Sequence, residues 1–177
     1  ELIVHLGMTG QLLIDRHEQD LTNLDQYQRA WWSLDNGKTV VFRDVRRFGR
    51  IAVVSKGDYS QIPTLRDMGP EPFSADLTGD EVWRRTRGRR RRIKTQLLSQ
   101  RLIAGVGNIY ADEALFLARI NPALRSISRP QAQRLLDALR TVLSEAIERG
   151  GTTLRDYRNL EGEGSNQHHL KCYGRAG

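Results

Sequence analysis

The sequence predicts an α+β chain in which an antiparallel sheet domain is followed by a helical one. Three observations carry this. Apolar residues recur with a period of two up to about residue 56, and with a period of 3.6 from residue 78. Between these regimes the chain is broken by Pro63, Pro70 and Pro72. A change of period is a change of element, because side chains alternate faces along a strand but return to one face every third or fourth residue of a helix.

Leu2, Val4 and Leu6 alternate with Ile3 and His5, so the chain is expected to open within a strand and to be a piece of a longer protein. Further strand-like runs lie at Gln11–Ile14, Ala30–Leu34, Thr39–Arg43 and Arg50–Val54. Asp35-Asn36-Gly37-Lys38 reads as a hairpin turn, since Asn-Gly accepts the positive φ angles that such turns need. Residues 1–56 are therefore expected to form part of a sheet domain and 57–77 a linker. Thr78-Gly79-Asp80-Glu81 and Ser128-Arg129-Pro130-Gln131 each fit a capping box opening a helix. The second helix carries one apolar stripe, Leu135, Leu136, Leu139, Val142, Leu143, Ala146 and Ile147, stopped by Gly150-Gly151. Such a stripe is core. Residues 78–149 are thus the expected helical domain, and 150–177 a loop-rich close.

A length of 177 residues suits one ordinary domain or two small ones, and 38% apolar content is enough to pack them. The 28 basic against 21 acidic residues, net +7, point to a polyanionic partner, either nucleic acid or an anionic membrane. No segment approaches the roughly 20 apolar residues of a membrane span and no signal region opens the chain, so a soluble, cytoplasmic protein is expected, and a monomer. One cysteine, Cys172, excludes an internal disulfide and the usual several-cysteine zinc site. No metal or other cofactor is expected in these residues, and the thiol reads as structural.

Three segments could carry chemistry. The first, Arg84 to Lys94, holds seven arginines and a lysine within eleven residues. It reads either as a solvated turn or as a phosphate-binding run, because guanidinium matches phosphate geometry and stays charged. The second, Gly105-Val106-Gly107-Asn108, leads into a helix that Asn108 would cap; its backbone amides form an anion site, or an ordinary helix start. Together with the helix from Ser128 it makes a helix-turn-helix pair, which favours nucleic acid over membrane. The third, Asp44-Val45-Arg46-Arg47-Phe48-Gly49, puts an aromatic and two arginines into a turn between strands. Phe48 there is a core side chain or a wedge that enters a base stack while a guanidinium fills the space of an extruded base. Met8, between Gly7 and Thr9-Gly10, is a second wedge or simple packing.

These segments together resemble the bacterial formamidopyrimidine-DNA glycosylases. His5 to Gly10, Asp44 to Gly49, Met68-Gly69-Pro70-Glu71-Pro72, Gly105 to Phe116, Gly150 to Tyr157 and Tyr173-Gly174-Arg175 occur in that family's order, with Gly105 to Phe116 the most specific. They are closer to this branch than to the endonuclease VIII branch. The resemblance implies part of an antiparallel β-sandwich, a helix-two-turn-helix domain and a zinc finger, gripping double-stranded DNA that contains oxidised purines or abasic sites. It implies base-excision repair by a bifunctional glycosylase and AP lyase: an N-terminal proline amine attacks the sugar, a glutamate assists, and β,δ-elimination cuts the strand. Neither of those two residues is matched here, and Glu1 aligns inside a later strand. The zinc-finger cysteines would lie just past Gly177, so zinc is expected of the full-length family protein only. Without those parts these residues alone are expected to be inactive.

Carried over residue by residue, the resemblance makes Met8, Arg46 and Phe48 the intercalating and void-filling trio, and Arg47 a phosphate contact or structural ion-pair partner. Asn108 becomes a phosphate ligand beside the Gly105 and Gly107 amides. Lys94 stands near the damaged nucleotide as a possible auxiliary to catalysis, and Arg90 falls where a DNA-contacting lysine is common. Tyr27 stands where a DNA-contacting histidine is usual. Arg155 and Tyr157 belong to the start of a loop that closes over the flipped base, and Gly164-Ser165-Asn166 to its tip. His5 and Asp44 read most simply as satisfying buried hydrogen bonds. A catalytically silent damaged-DNA-binding protein is the alternative. An RNA or ribosome binder ranks below both, since it leaves Arg46 and Phe48 without a use.

Overall fold

A computed structural model describes residues 1–15, 26–152 and 164–175. The chain divides into two compact units. In the first, β1 (Leu2–His5) pairs antiparallel with β5 (Arg50–Val53), while β2 (Gly10–Asp15) and β3 (Gln28–Ser33) flank β4 (Thr39–Asp44) in a three-stranded antiparallel sheet. Each expected strand-like run is a strand. Gly37, at φ +74°, makes the hairpin between β3 and β4, with the Leu34 amide donating to the Lys38 carbonyl at 2.8 Å. Among the described residues β4 is the only strand flanked on both sides, and its Val41 and Phe42 are the two buried hydrophobic residues of this unit.

The main core lies in the second unit, where β-type residues give way to α1 (Pro63–Arg66), α2 (Gly79–Thr86), α3 (Ile93–Leu98), α4 (Asn108–Leu117) and α5 (Arg129–Glu148). Ser128 opens α5 with a complete capping box, its hydroxyl accepting from the Gln131 amide while the Gln131 side chain accepts from the Ser128 amide. At Thr78 only half of the expected box forms. The hydroxyl accepts from the Glu81 amide at 3.2 Å, but the Glu81 carboxylate pairs with Arg84 and Arg85 at 2.6 and 2.7 Å, a stronger attraction than a neutral backbone amide.

Ala132, Leu135, Leu136, Leu139, Leu143 and Ala146 bury one stripe of α5 against α2 and α4. The expected stripe is corrected at its C-terminal end: Val142 is half-buried and Ile147 is 68% exposed. A 3.6 period places Ile147 a further 100° round from Ala146, at the edge of the stripe, in the last turn of the helix. Of the stretch 57–77, Gly57 and Asp58 group with the first unit and Tyr59 onward with the second. There the Arg140 guanidinium donates to the carbonyls of Pro72, Ser74 and Leu77 at 2.8, 3.1 and 2.9 Å, tying the proline-rich segment to α5. Among the described residues no helix is long and apolar enough to cross a membrane.

Candidate nucleic-acid interface

In the first unit the site is built around a buried carboxylate. Asp44, 1% exposed at the end of β4, accepts from the Thr9 hydroxyl at 2.6 Å and from the amides of Gly49 and Arg46 at 2.7 and 3.2 Å. The Arg46 amide is shared with the Thr9 hydroxyl at 3.1 Å. Burial alone would push the Asp44 carboxyl up; the Thr9 hydroxyl and the amides of Gly49, Arg46 and Arg47 outweigh it and hold the carboxyl below its usual value. One carboxylate thus locks the 6–10 turn to the 44–49 turn. His5, by contrast, is exposed, so the expectation of a buried hydrogen bond at this residue is not met.

What the lock presents to solvent is Met8, 60% exposed, and Phe48, 57% exposed. Gly7 sits at φ +64°, and a Cβ there would come within 3.0 Å of the Phe48 backbone, so the two turns approach as only glycine permits. The Arg46 guanidinium stands 3.9 Å from the Met8 sulfur, which brings the trio Met8, Arg46 and Phe48 onto one pair of turns. Arg47 is exposed at φ +59°. Its amide serves Asp44, whereas its side chain has no ion-pair partner among the described residues. Tyr27 is half-buried under the Arg43 guanidinium, 5.0 Å from its ring centroid.

The second unit offers the start of α4. Gly105, at φ +74°, turns the chain, and the Gln100 side chain staples that turn by accepting from the Gly105 amide and donating to the Val106 carbonyl, both at 2.7 Å. Asn108 does not cap the helix as expected: Gly107 is the cap residue and Asn108 the first helical one, with no side-chain cap bond. The extended backbone at Gly107 already completes the turn, which leaves the Asn108 side chain exposed and without a hydrogen bond among the described residues. The first amides of α4 lack intrahelical partners, as in any helix. A Cβ on Gly107 would meet nothing within 4 Å, so its bareness serves no internal packing and keeps those amides open to an anion.

One turn into α4, Asp112 pairs with Lys94 of α3 at 2.7 Å, so a phosphate approaching Lys94 has to share it. The next residue, Glu113, is 5% exposed and accepts from the amides of Lys171, Cys172 and Tyr173, each at 2.8 Å. Burial would raise its carboxyl, but these three amides hold it below the ordinary value. Burial first, and then the Glu113 charge, push the Cys172 thiol up to about 11, which keeps it protonated and unreactive near neutral pH. Arg90 lines a cavity with other arginines. Arg155 and Tyr157 lie outside the described residues. Gly164 to Asn166 form a packed anchor instead of a loop tip, with the Ser165 amide on the Arg149 carbonyl at 3.0 Å and Asn166 donating to Thr152 at 2.8 Å. Among the described residues no three His, Cys, Asp or Glu side chains come together to hold a metal.

Residues 68–158 match the family model of the formamidopyrimidine-DNA glycosylase H2TH domain, and residues 1–51 that of the formamidopyrimidine-DNA glycosylase N-terminal domain. The chain belongs to the formamidopyrimidine-DNA glycosylase family. The Thermus thermophilus formamidopyrimidine-DNA glycosylase is 46% identical over all of this chain and 65% of its own length, and the Deinococcus radiodurans one 42% identical over all of it and 62%. The chain therefore spans under two thirds of those relatives. The crystal structure of the MutM (Fpg) protein from Thermus thermophilus superimposes with a TM-score of 0.86 at 45% identity, covering 98% of this chain and 64% of that one. A complex of Lactococcus lactis Fpg with DNA containing an abasic site gives 0.84 at 30% identity, covering 98% and 63%. These matches agree with the expected α+β class and the expected pair of domain types.

Proposed function

We propose that this chain is the DNA-gripping part of a base-excision repair glycosylase that removes oxidised purines, 8-oxoguanine and formamidopyrimidines, from duplex DNA. The observation that carries the reading is the turn pair locked by Asp44, which holds Met8 and Phe48 out to solvent beside the Arg46 guanidinium. Burying such side chains between bases recovers the apolar area that they expose, and a guanidinium can occupy the place of the extruded base. Asn108 and the amides after Gly105 and Gly107 bind backbone phosphates, and Lys94 sits near the damaged nucleotide. Arg47 and Tyr27 lie on the DNA side of the sheet unit. Solved relatives bound to carbocyclic 8-oxo-G DNA and to abasic-site DNA support this choice of ligand.

For the whole protein the proposed reaction begins with attack of a proline amine on the sugar C1′, which expels the base and leaves a Schiff base; β,δ-elimination then cuts the strand. No residue of this chain matches that proline or its partner glutamate, so these residues grip and do not cut. The deciding experiment is borohydride trapping on a duplex with one 8-oxoguanine, comparing the protein of the complete reading frame with the 177-residue chain. An adduct from the complete protein alone is the expected result. Lesion-selective binding with no adduct from either would make this a silent damage-recognition protein, and an adduct from the 177-residue chain would overturn the division between grip and chemistry.

Met8→Ala with Phe48→Ala is expected to weaken binding to lesion duplex by about tenfold or more, given roughly one to three kcal/mol per base-contacting side chain, and to leave undamaged duplex nearly unchanged. Asn108→Ala weakens both alike, because phosphate contacts carry no lesion information. Equal losses on both duplexes from the double variant would end the wedge assignment; competition binding at fixed salt reads the difference.

A further inference from the structure

The arginine run from Arg84 to Lys94 is only partly used by this reading. Arg84 and Arg85 end α2, Arg92 is the residue before α3, and the loop between them is held at both ends. At its start the Arg89 amide reaches the Thr86 carbonyl at 3.4 Å, with Gly88 at φ +69°; at its end Gln96, 6% exposed, donates from its amide nitrogen to the carbonyls of Arg91 and Arg125 at 2.8 and 3.0 Å. The loop is therefore a fixed wall. It encloses a cavity of about 300 Å³ to which Arg85, Arg89, Arg90, Arg91 and Arg101 all contribute, and no acidic residue lines it.

Two of those five charges are balanced, Arg85 by Glu81 at 2.7 Å and Arg101 by Asp67 at 2.6 Å. Arg90 and Arg91 have no side-chain hydrogen bond or ion pair among the described residues, and Arg89 reaches only a backbone carbonyl at 3.4 Å. Three exposed guanidinium groups with no acidic partner on one concave wall raise the local positive potential there and attract an anion. Guanidinium selects planar or tetrahedral oxyanions, which it grips in a bidentate way.

The cavity also faces away from the α4 site. Gln96 and Ser99 follow Lys94 by two and five residues, and about 100° per residue turns them roughly 200° and 140° round from it. Lys94 meets Asp112 of α4 on one flank, while Gln96 and Ser99 line the cavity on the other. The geometry points to a second phosphate-binding site, taking the backbone of a nucleic-acid segment other than the one gripped at Lys94 and Asn108. A strand backbone fits better than a small anion because the exposed Arg92 follows the lining arginines Arg90 and Arg91 in the chain, extending the run of positive charge beyond the cavity. This goes beyond the proposed function and shares with it only the class of ligand. It allows one chain to hold two DNA segments at once.

The test titrates the 177-residue chain with a short undamaged duplex and counts duplexes per chain by sedimentation velocity, in the wild type, in Arg89→Gln with Arg91→Gln, and in Asn108→Ala. Two binding classes are expected. The arginine variant loses about tenfold or more in the weaker class, where two charge-assisted phosphate contacts go, and the log-log salt slope of that class becomes shallower by about 1.8. Its stronger class changes less than about twofold, whereas Asn108→Ala weakens the stronger class and spares the weaker one, with no change in salt slope because its side chain is uncharged. One duplex per wild-type chain would overturn the proposal, as would an arginine variant that weakens the same class as Asn108→Ala. Inorganic tripolyphosphate that occupies the cavity while no second duplex binds would reassign it to free polyphosphate and overturn the nucleic-acid assignment. Unchanged melting of the arginine variant shows that the fold is kept.

Discussion

Asp44→Ala is expected to lower the unfolding free energy by about 2–4 kcal/mol, because it strands a buried hydroxyl and several amides together. The Thr9 hydroxyl and the Gly49, Arg46 and Arg47 amides all converge on this carboxylate, which is 1% exposed. The loss is also functional. Without the shared acceptor the 6–10 and 44–49 turns part, and Met8 and Phe48 no longer project as a fixed pair, so preference for lesion duplex falls with stability. The pH dependence has a definite sign. Hydrogen bonds hold the folded carboxyl below its ordinary 3.8, so its contribution is complete above that value and disappears as the pH falls through the lower folded one. Urea unfolding from about pH 7 into the range below 3.8 should show the wild type beginning to lose this increment, with Asp44→Ala flatter. A variant as stable as the wild type, with lesion preference intact, would show that the turns hold without the carboxylate.

Much of the fold was legible because its signals are local. Alternation located every strand to within a residue or two, Asn36-Gly37 supplied the hairpin, and Ser128 with Gln131 announced α5 through an actual reciprocal cap. The site residues on turns were legible for a related reason. Gly7, Gly105 and Gly107 mark places where backbone must bend or stay bare, and Met8, Phe48 and Asn108 are their neighbours in sequence or across the turn.

Residues that act across the chain were not legible. Gln100 staples the Gly105 turn and Arg140 collects three carbonyls from residues 72–77, yet each is an isolated polar residue on a helix or beyond its end. Long-range hydrogen bonds of this kind leave no periodicity to read. Asparagine favours the cap position, which is why Asn108 reads as a cap, but an extended Gly107 takes that place equally well and frees the side chain. Period alone puts Ile147 in the core; it says which face a residue shares but not how far along the helix its neighbours extend.

Glu113 is the largest of these omissions, and Glu113→Ala is expected to release residues 171–173 from α4. Its carboxylate is the shared acceptor for three consecutive amides, at 2.8 Å each, and among the described residues no other acceptor stands in for it on those three. Three amides losing a charged partner corresponds to about 2–4 kcal/mol, confined to the segment that they anchor. Hydrogen exchange should therefore show protection lost at Lys171, Cys172 and Tyr173 while the α5 core amides stay protected. Because the folded carboxyl lies below its ordinary 4.5, the same release occurs in the wild type only as the pH falls through that lower folded value, and the variant shows no further change there. Cys172 gives an independent readout. With the Glu113 charge gone and the segment released, the Cys172 thiol pKa falls from about 11 toward the free value, so alkylation at mildly alkaline pH accelerates in Glu113→Ala. Unchanged exchange and unchanged alkylation would mean that the segment is held by its packing alone. Since α4 carries Asn108 at its start, Asp112 against Lys94 and Glu113 against this segment, loosening the last of these tests whether the helix presents its phosphate site independently of what it anchors.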